Sequence, residues 1–548
     1  MKTISDIIEG IDGRGYKKYK MLLGAGETVD GVGVRVVRVQ GDPYAPPSVV
    51  RLEARHGFPE WGGRYRVALA DWVYRRLYGL LKRYSRKRGE GRSGFLGLPK
   101  PGPVMLRRSG VEVLGERVVA RVWVGLPSRR RRVLGGVARE LLLEVLPRVF
   151  RVALDWSRDI EGLRRHVLAW RLQEYLRSRL SSMGLVSFVG DGSILPRKCG
   201  GCDEPLPDAV PFESPSSLRV EVEVPWLKET VTGMGVRKGL TLIMGSAFHG
   251  KSTLLEAIAA GVWNHVPGDG RERVVTIREA MYVRAEDGRF VTCVDVSPFI
   301  HDLPGARDTR CFSTSDASGA TSTAASIQEA VEAGAELILL DEDNVATNIL
   351  YSDERVEDLV KWKTITPIAT LAHGIIGENL SLIIVSSGNL QLLGAADTII
   401  LMEGFHARDV TAEAKKLLSL YKYSGRKNAE YRRPSPRLVK RVPHLTKPRI
   451  KGEILYDKRL PAPVMINDIH LVEESQYNTI VSMLYRIKGF EDKTFREIVE
   501  GFEKKLMDGF REPVDGEPPP SLGEIRGLDL IYVLNRLPRL LVSVVEKE

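Results

Sequence analysis

The chain has 548 residues, of which 43% are hydrophobic and 28% charged, a composition that excludes a disordered chain and allows two to four globular domains. Lysine and arginine total 81 against 70 acidic residues, a net charge of +11, and such an excess favours polyanionic partners where it is clustered. No apolar run reaches the ~18–20 residues of a membrane span, and the start of the chain has no secretory apolar segment. We therefore expect a soluble, cytoplasmic protein with no membrane partner.

The N-terminal region predicts an α+β domain over residues 1–160. Short β-like runs, VGVRVVRVQ and ERVVARVWVGL, occur beside helical patterns such as ARELLLEVLPRVF, in which apolar residues recur at helical spacing. A helix is predicted over residues 161–183, and a Gly-, Pro- and Ser-rich loop follows it.

The four cysteines give a weak signal. Cys199 and Cys202 form a C-x-x-C, which fits half a zinc site, a redox pair or two incidental loop thiols, while Cys293 and Cys311 form no second such motif. Four cysteines in so long a chain argue against a disulfide framework.

A phosphate-binding motif follows. From about residue 218 to 404 apolar β-like runs alternate with helical segments, which predicts a mostly parallel sheet covered by helices. Within this region a strand pattern, LTLIM, leads into G-x-x-x-x-G-K-S and then a helical pattern, the context of a P-loop. Its backbone amides would surround phosphate oxygens, Lys251 would neutralise their charge and Ser252 would ligate Mg²⁺. The predicted nucleotide-binding residues here are Gly245, Ser246, Ala247, Phe248, His249, Gly250, Lys251, Ser252 and Thr253.

The small-residue stretch ASGATSTAA, residues 317–325, has two interpretations. Its composition is that of a flexible linker. The helical pattern of SIQEAVEAGAE directly after it favours the start of a helix instead.

An acidic strand end comes next. ELILLDED predicts an apolar strand that ends in Asp341 and Glu342. Asp341 would hold Mg²⁺ and Glu342 would polarise the attacking water, as in a Walker B strand. Many buried strands end in an acid pair, but together with the upstream P-loop this pair predicts a P-loop NTPase.

These motifs resemble those of ABC-type ATPases. In such proteins a Ser-Gly signature opens a helix at a nearly fixed interval before the Walker B aspartate, and ASGAT stands at that interval from Asp341. The resemblance implies that Ser318 and Gly319 bind a γ-phosphate, with Ala320 and Thr321 in place of the usual Gly-Gln. Residues 343–348 take the place of the D-loop.

The resemblance also exposes departures. Ser387 stands at the position of the switch histidine, and VDVSPFI, at the Q-loop position, contains no glutamine. Too few residues separate Pro298 from Ala317 for the usual helical subdomain. Asp397 does agree with the Ala-Asp that precedes the last core strand.

The longer motifs point to one branch of ABC ATPases. AFHGKST, RAEDGR, DTRCFSTSDASGATS, DEDNVATN and the N-terminal QGDPYAPPSVVRL closely resemble the predicted ABC-class ATPase family that includes a trypanosome mitochondrial RNA-editing-associated protein. The resemblance implies an ABC-type P-loop NTPase core, ATP as ligand, a homodimer and a link to RNA. With the chain's own patterns, it divides the molecule into an N-terminal α+β domain (1–160), the core (161–440) and a mainly helical C-terminal domain (441–548).

Three basic segments are candidate contacts for RNA or single-stranded nucleic acid: residues 82–88, 128–132 and 415–458. Clustered lysines and arginines bind phosphate backbones, and Tyr84, inside the first segment, could stack on a base. The alternatives are a solvated surface and an acidic protein partner.

The leading hypothesis is an ATPase that couples ATP-driven dimer closure to remodelling of RNA or DNA, with Lys251, Asp341 and Glu342 as catalytic residues. The alternative is a nucleotide-dependent binding module with negligible turnover, because Ser387 replaces the switch histidine. A transporter subunit is disfavoured by the missing Q-loop and helical subdomain. In ABC-type ATPases a signature completes the phosphate site of a facing core, so the resemblance, with one P-loop and one signature per chain, implies a homodimer.

Overall fold

The computed structural model describes residues 2–59, 65–305, 308–352, 362–421, 429–485, 489–507, 509–510 and 517–545. The chain divides into two compact units, each assembled from three segments. Unit one contains Met1–Arg171, Val472–Ser482 and Lys505–Glu524, and unit two contains Leu172–Leu471, Met483–Lys504 and Ile525–Glu548. The domain boundaries placed at residues 160 and 440 stay a prediction.

Unit one is built on an antiparallel sheet of six strands. Its strands pair in the order Gly26–Val29, Val32–Arg38, Ser48–Arg55, Arg117–Val124 and Leu96–Gly97, and Val111–Leu114 also pairs with Arg117–Val124. Its other elements are the helices Ile4–Ile11, Arg66–Tyr84, Gly135–Arg139, Leu146–Leu154 and the first half of Ile160–Leu180, the 3₁₀ turns Tyr16–Leu22 and Trp156–Asp159, the π-helical Glu140–Val145, and the strands Val104–Met105, Ser128–Arg129 and Arg132–Val133.

The strands of this sheet have one apolar and one polar face. In Val32–Arg38 the side chains of Val32, Val34 and Val36 are buried while Arg35 is exposed, the period of two that a half-buried strand requires. The buried valines join one hydrophobic cluster with the helix Arg66–Tyr84, so this α+β unit agrees with the sequence pattern.

A buried ion network ties the C-terminal residues of unit one to its N-terminal residues. Arg108, 2% exposed, donates to both carboxylate oxygens of Glu473 at 2.8 and 2.7 Å and also to Asp71. Asp71 accepts further bonds from Arg75 at 2.7 Å and His166 at 2.9 Å. Burial raises the pKa of both carboxyl groups, but the arginines outweigh burial and hold the pKa of Asp71 and of Glu473 below its ordinary value.

Replacing Arg108 with methionine should destabilise unit one by about 3–5 kcal/mol, because two carboxylates would lose their buried partner. In the parental protein the stabilisation from these lowered pKa values is present above about pH 4 and lost as the pH falls below it; in Arg108→Met, whose carboxylates lack that partner, this loss of stability in acid should be smaller. Urea unfolding at a series of pH values measures both effects, with hydrogen exchange of the amides in Arg66–Tyr84 as the probe of unit one. Arg158→Met, which breaks an exposed pair with Asp155, is the control and should lower the free energy of unfolding by less than about 1 kcal/mol. If both variants lowered that free energy equally, the buried network would not be important for stability.

Unit two contains the predicted α/β core. Its main sheet has the strand order Ala280–Val283, Leu337–Asp341, Ser381–Ser386, Leu240–Met244, Thr398–Glu403 and His406–Asp409. The first five strands are parallel, and the sixth pairs antiparallel to the fifth. This mostly parallel sheet confirms the fold class.

Unit two contains further elements outside this sheet. An antiparallel sheet has the order Arg219–Val224, Glu229–Arg237, Leu185–Gly190 and Val274–Thr276. The helices are Lys251–Ala260, Gly319–Ala333, Thr347–Leu350, Ile368–Gly377, Leu390–Ala395, Thr411–Leu420 and Gly527–Leu534, while Ile160–Leu180, Glu474–Tyr485 and Phe495–Met507 cross the unit boundaries. Short strands are Asn264–His265, Val291–Val294, Phe312–Thr314, Arg437–Arg441, Arg449–Lys451, Ile454–Tyr456, Val464–Met465, Lys493–Thr494 and Leu541–Val544, and 3₁₀ turns are Ser181–Met183 and Glu342–Asn344.

The argument against disulfides is wrong. Cys199 is bonded to Cys202, and Cys293 is bonded to Cys311. The second pair forms because the strands Val291–Val294 and Phe312–Thr314 are antiparallel neighbours, a proximity that the sequence separation of 18 residues conceals.

The long apolar helix that a membrane span would require is not found among the described residues.

Candidate functional site

The P-loop motif has the local structure that its sequence predicts. The strand Leu240–Met244 leads into the loop, and the helix Lys251–Ala260 begins at its lysine. Gly245 has φ 142°, and a Cβ there would lie 2.3 Å from the carbonyl oxygen of Met402. Gly250, at φ 92°, precedes the helix in a left-handed conformation. Glycine is therefore required at both positions, once for space and once for backbone geometry.

The loop's side chains lie at the surface. Ser246, Ala247 and Phe248 are exposed, the last by 96%, and the residues from His249 to Thr253 are half-buried. Lys251 Nζ donates to the carbonyl oxygen of Ser246 at 2.8 Å, and His249 Nδ1 accepts from the Gly404 amide at 3.0 Å. The lysine cation therefore lies over the loop that would surround the phosphates.

Parallel pairing places the Walker B acids beside the P-loop. The strand Ser381–Ser386 lies between the P-loop strand and Leu337–Asp341. In its register Met244 pairs with Ser386, and Val385 pairs with Asp341. Gly245, Asp341 and Ser387 therefore follow or end neighbouring strands at one edge of the sheet.

Asp341 has an unused carboxylate oxygen. The residue is 1% exposed; one oxygen accepts from the Asp343 amide at 3.2 Å, and the other, Oδ2, has no hydrogen-bond partner among the described residues. A buried carboxylate oxygen without a partner is costly, and a cation or a cation-bound water would satisfy it. The site thus fits Mg²⁺ and a nucleotide phosphate: an anionic oxygen beside an amide-rich loop.

Glu342 is held at both carboxylate oxygens. Ser387 donates to Oε2 from its amide at 2.8 Å and from its hydroxyl at 3.2 Å, while Tyr351 donates its hydroxyl to Oε1. Burial raises the pKa of Glu342, but these hydrogen bonds outweigh burial and lower it. Burial and the contact with Glu342 raise the pKa of Tyr351 to about 12. The carboxylate is therefore ionised and oriented at neutral pH.

The stretch that resembled a linker starts a helix. Gly319–Ala333, here named the signature helix, has Ser318 as its N-cap, whose hydroxyl accepts from the Thr321 amide at 3.4 Å. Ser318 is exposed and Ala317 is buried. An exposed hydroxyl beside the first amides of a fifteen-residue helix is a suitable anion-binding group.

The RAEDGR segment joins the Walker B turn to this helix. It follows Ala280–Val283, the neighbour of the Walker B strand. The Ala285 amide donates to the carbonyl of Asn344 at 2.8 Å, in the turn after Glu342. Gly288 then donates to Ala317 at 2.8 Å, and Ala317 donates back to Arg289 at 3.1 Å. Backbone hydrogen bonds thus lead from Walker B to the residue before Ser318.

Other predicted positions have structural roles. Asp397 accepts from the Leu240 amide at 2.8 Å and so anchors the start of the P-loop strand. VDVSPFI begins in the strand Val291–Val294, outside the main sheet. Between Pro298 and Ala317 the described residues contain the strand Phe312–Thr314 and no helix, in agreement with the missing helical subdomain.

Sequence reasoning missed Tyr351 and the RAEDGR hydrogen bonds. Tyr351 follows the D-loop stretch without a motif of its own, and no pattern singles it out. RAEDGR was visible as a family motif, but the motif does not say that its backbone contacts Asn344 and Ala317.

Two family models match the chain. The P-loop domain of ABC ATPases matches residues 159–437, about half of the chain, and the N-terminal domain of ATPases of the ABC class matches residues 1–155. An uncharacterized protein of Methanocaldococcus jannaschii is 33% identical over 250 residues, covering 43% of this chain and 54% of the relative. The chain thus spans about half the length of the curated relative it matches.

Two solved structures are also similar in part. An ATP-binding cassette of an ABC transporter in its ADP conformation has a TM-score of 0.24 at 12% identity and covers 37% of this chain and 93% of its own. An inward-facing, putative metal-chelate type ABC transporter has a TM-score of 0.25 at 12% identity, with coverages of 50% and 95%. At these TM-scores the family matches alone carry the assignment.

Proposed function

The chain belongs to the ABC-class ATPase family, and we propose that it binds and hydrolyses ATP at two composite sites in a homodimer. One observation carries the proposal: neighbouring parallel strands bring the P-loop and the acids Asp341 and Glu342 to one sheet edge, where a buried carboxylate oxygen lacks a partner. That arrangement suits phosphoryl transfer to water, which depends on positioning and charge stabilisation.

Each residue then has a distinct role. Lys251 would exchange the Ser246 carbonyl for the β- and γ-phosphates, and the loop amides would donate to phosphate oxygens. Ser252 and Asp341 would hold Mg²⁺, which would neutralise phosphate charge. Glu342 would orient and polarise the attacking water.

Ser318 and Gly319 would complete the site of the facing chain. Because Ser318 is exposed at a helix N-terminus, it can meet a γ-phosphate that arrives from outside its own chain. ATP would join the two cores through that contact, and ADP, which lacks the γ-phosphate, would release them.

A module with negligible turnover is the alternative. It is supported by Ser387, which gives Glu342 a hydrogen-bonding partner that cannot replace the switch histidine as a proton carrier. Single-turnover hydrolysis separates the two functions, because a binding module would keep its ATP intact.

We also propose that unit one contacts nucleic acid. The Glu90 amide donates to the Ser128 carbonyl at 3.1 Å, and the Ser128 hydroxyl donates to the Glu90 carboxylate at 3.2 Å, which brings segment 128–132 next to the end of segment 82–88. Arg130 and Arg131 form the hairpin turn at φ 50° and 54°, a strained conformation for residues other than glycine. Strain of this kind is common at binding sites.

The third basic segment supports that proposal less. Arg432, Arg433 and Lys440 pair with acids of unit two, and Arg426 and Lys427 lie outside the described residues. Charges already neutralised by neighbouring acids contribute less to phosphate binding.

Glu342→Gln should retain ATP binding and slow hydrolysis by about 10²–10⁴-fold, because an amide keeps the shape but cannot polarise water as a base. Nucleotide binding and single-turnover hydrolysis measure the two effects. Lys251→Ala is the matched control and should lose tight binding itself. Hydrolysis at the parental rate in Glu342→Gln would contradict the assigned role.

Mixed dimers test the composite site. Ser318→Arg should block closure by filling the space of the γ-phosphate, while its own P-loop still binds ATP. Mixed with Lys251→Ala, it should regain turnover, since one interface then pairs an intact P-loop with an intact signature. ATPase activity of each variant alone is the control. Normal hydrolysis by Ser318→Arg alone would show that the signature does not contact phosphate.

The logarithm of the binding constant for single-stranded RNA or DNA should fall linearly with the logarithm of the salt concentration. The slope should be about −0.7 for each phosphate contact. Arg129→Glu with Arg130→Glu should weaken binding and flatten that slope. Lys415→Glu with Lys416→Glu, in unit two, serves as the comparison. No affinity for either nucleic acid at low salt would leave the unit-one charges as surface solvation.

A further inference from the structure

The signature helix has an unusual buried surface. Beyond its exposed N-terminus, the side chains of Ser326, Gln328, Glu329 and Glu332 are buried. Two of these are carboxylates, which are rarely buried without a charged partner. The orientation of the helix therefore depends on the groups that satisfy them.

Arg437 satisfies Glu332. Its Nε and Nη2 donate to one carboxylate oxygen at 2.9 and 2.6 Å, and its backbone amide donates to the other at 2.5 Å. Both side chains are 3% exposed. Arg437 Nη1 also donates to the Thr292 carbonyl at 2.7 Å, which fixes the guanidinium plane.

Glu329 and Ser326 are held by two other arginines. Arg289, from RAEDGR, donates to the two oxygens of Glu329 at 3.2 and 2.9 Å. Arg536 donates to Ser326 at 3.3 Å and lies 3.9 Å from Glu329. Arg536 also pairs with Glu286 of RAEDGR, to which its Nε donates at 2.9 Å, so one guanidinium contacts both the helix and the loop before it.

Two of these arginines lie at or beyond residue 437, where the match to the P-loop domain of ABC ATPases ends. The segment before the signature, where ABC-type ATPases have a helical subdomain, contains no helix among its described residues. Two of the three arginines that contact the signature helix, Arg437 and Arg536, therefore come from the end of this match or from beyond it.

We propose that Arg437 and Arg536 are positioning residues that hold the signature helix in the orientation in which Ser318 reaches the partner chain's phosphate site. The proposal rests on the composite site proposed above. The two arginines contact the side of the helix, while the backbone bonds between Ala317 and residues 288–289 fix its N-terminal end. Losing the side contacts would let the helix turn about that end.

The experiment uses Arg437→Met and Arg536→Met in the full chain. Each should bind ATP, because its P-loop is intact, yet lose about 10²-fold in steady-state turnover, the cost of a misplacement of about 1 Å in a catalytic group. Arg496→Met is the control: Arg496 also lies in unit two but pairs with exposed Glu500, so its turnover should stay at the parental level.

Mixed dimers distinguish a misplaced signature helix from general damage to the fold. A variant with a misplaced signature should regain turnover with Lys251→Ala, which supplies an intact signature, and should not regain it with Ser318→Arg. Three results would each overturn the proposal. The variant could regain turnover with Ser318→Arg but not with Lys251→Ala, it could regain turnover with neither, or it could hydrolyse ATP at the parental rate when it is not mixed at all. If Ser318→Arg and Lys251→Ala fail to complement one another, the composite site itself is refuted.

Conservative variants keep the test valid if methionine prevents folding. Arg437→Lys and Arg536→Lys retain the charge but cannot make the paired guanidinium bonds. They should show the same mixing pattern with a smaller loss of turnover. Lysine variants that hydrolyse ATP at the parental rate would show that the guanidinium geometry is not needed.

Discussion

The in-register pairing of three parallel strands is the constraint on which the site depends. Leu240–Met244, Ser381–Ser386 and Leu337–Asp341 are adjacent, and all end at the same edge. A slip of one residue would turn each side chain to the opposite face of the sheet. The ladder pairing of these buried strands thus fixes the position of the P-loop relative to Asp341 and Glu342 before any ligand binds.

From that edge, backbone contacts extend to the signature. The turn after Glu342 bonds to Ala285, and the following Gly288 and Arg289 bond to Ala317. These bonds join groups that would act on different nucleotides, since Glu342 serves the chain's own site and Ser318 the facing one in the proposed dimer. A shift at one site thus has a short physical route to the other, through backbone rather than through flexible side chains.

The sequence predicts what depends on local patterns. The P-loop, the Walker B strand and the helix after Ser318 were recognisable because strand, turn and helix signals are each contained within a short window. The alternation of strands and helices likewise predicted the mostly parallel core. Other features join residues that are separated along the chain. They are the inclusion of two C-terminal segments in unit one, the Cys293–Cys311 bond and the contact between Tyr351 and Glu342. No periodicity encodes such pairings, so they required the structure.

The contacts of the signature helix show why the same limit applies to function. Its sequence, GATSTAASIQEAVEA, identifies a helix, and its glutamates would ordinarily be assigned to the solvent. The structure instead pairs Glu332 with Arg437 and Glu329 with Arg289 inside the protein. Such buried pairs add little net stability compared with apolar packing, because desolvation offsets their attraction. Their directional bonds do fix rotation and register, which apolar side chains fix less strictly. In the proposed dimer, a helix whose N-terminal hydroxyl would meet a phosphate on another chain needs that kind of constraint more than it needs additional stability.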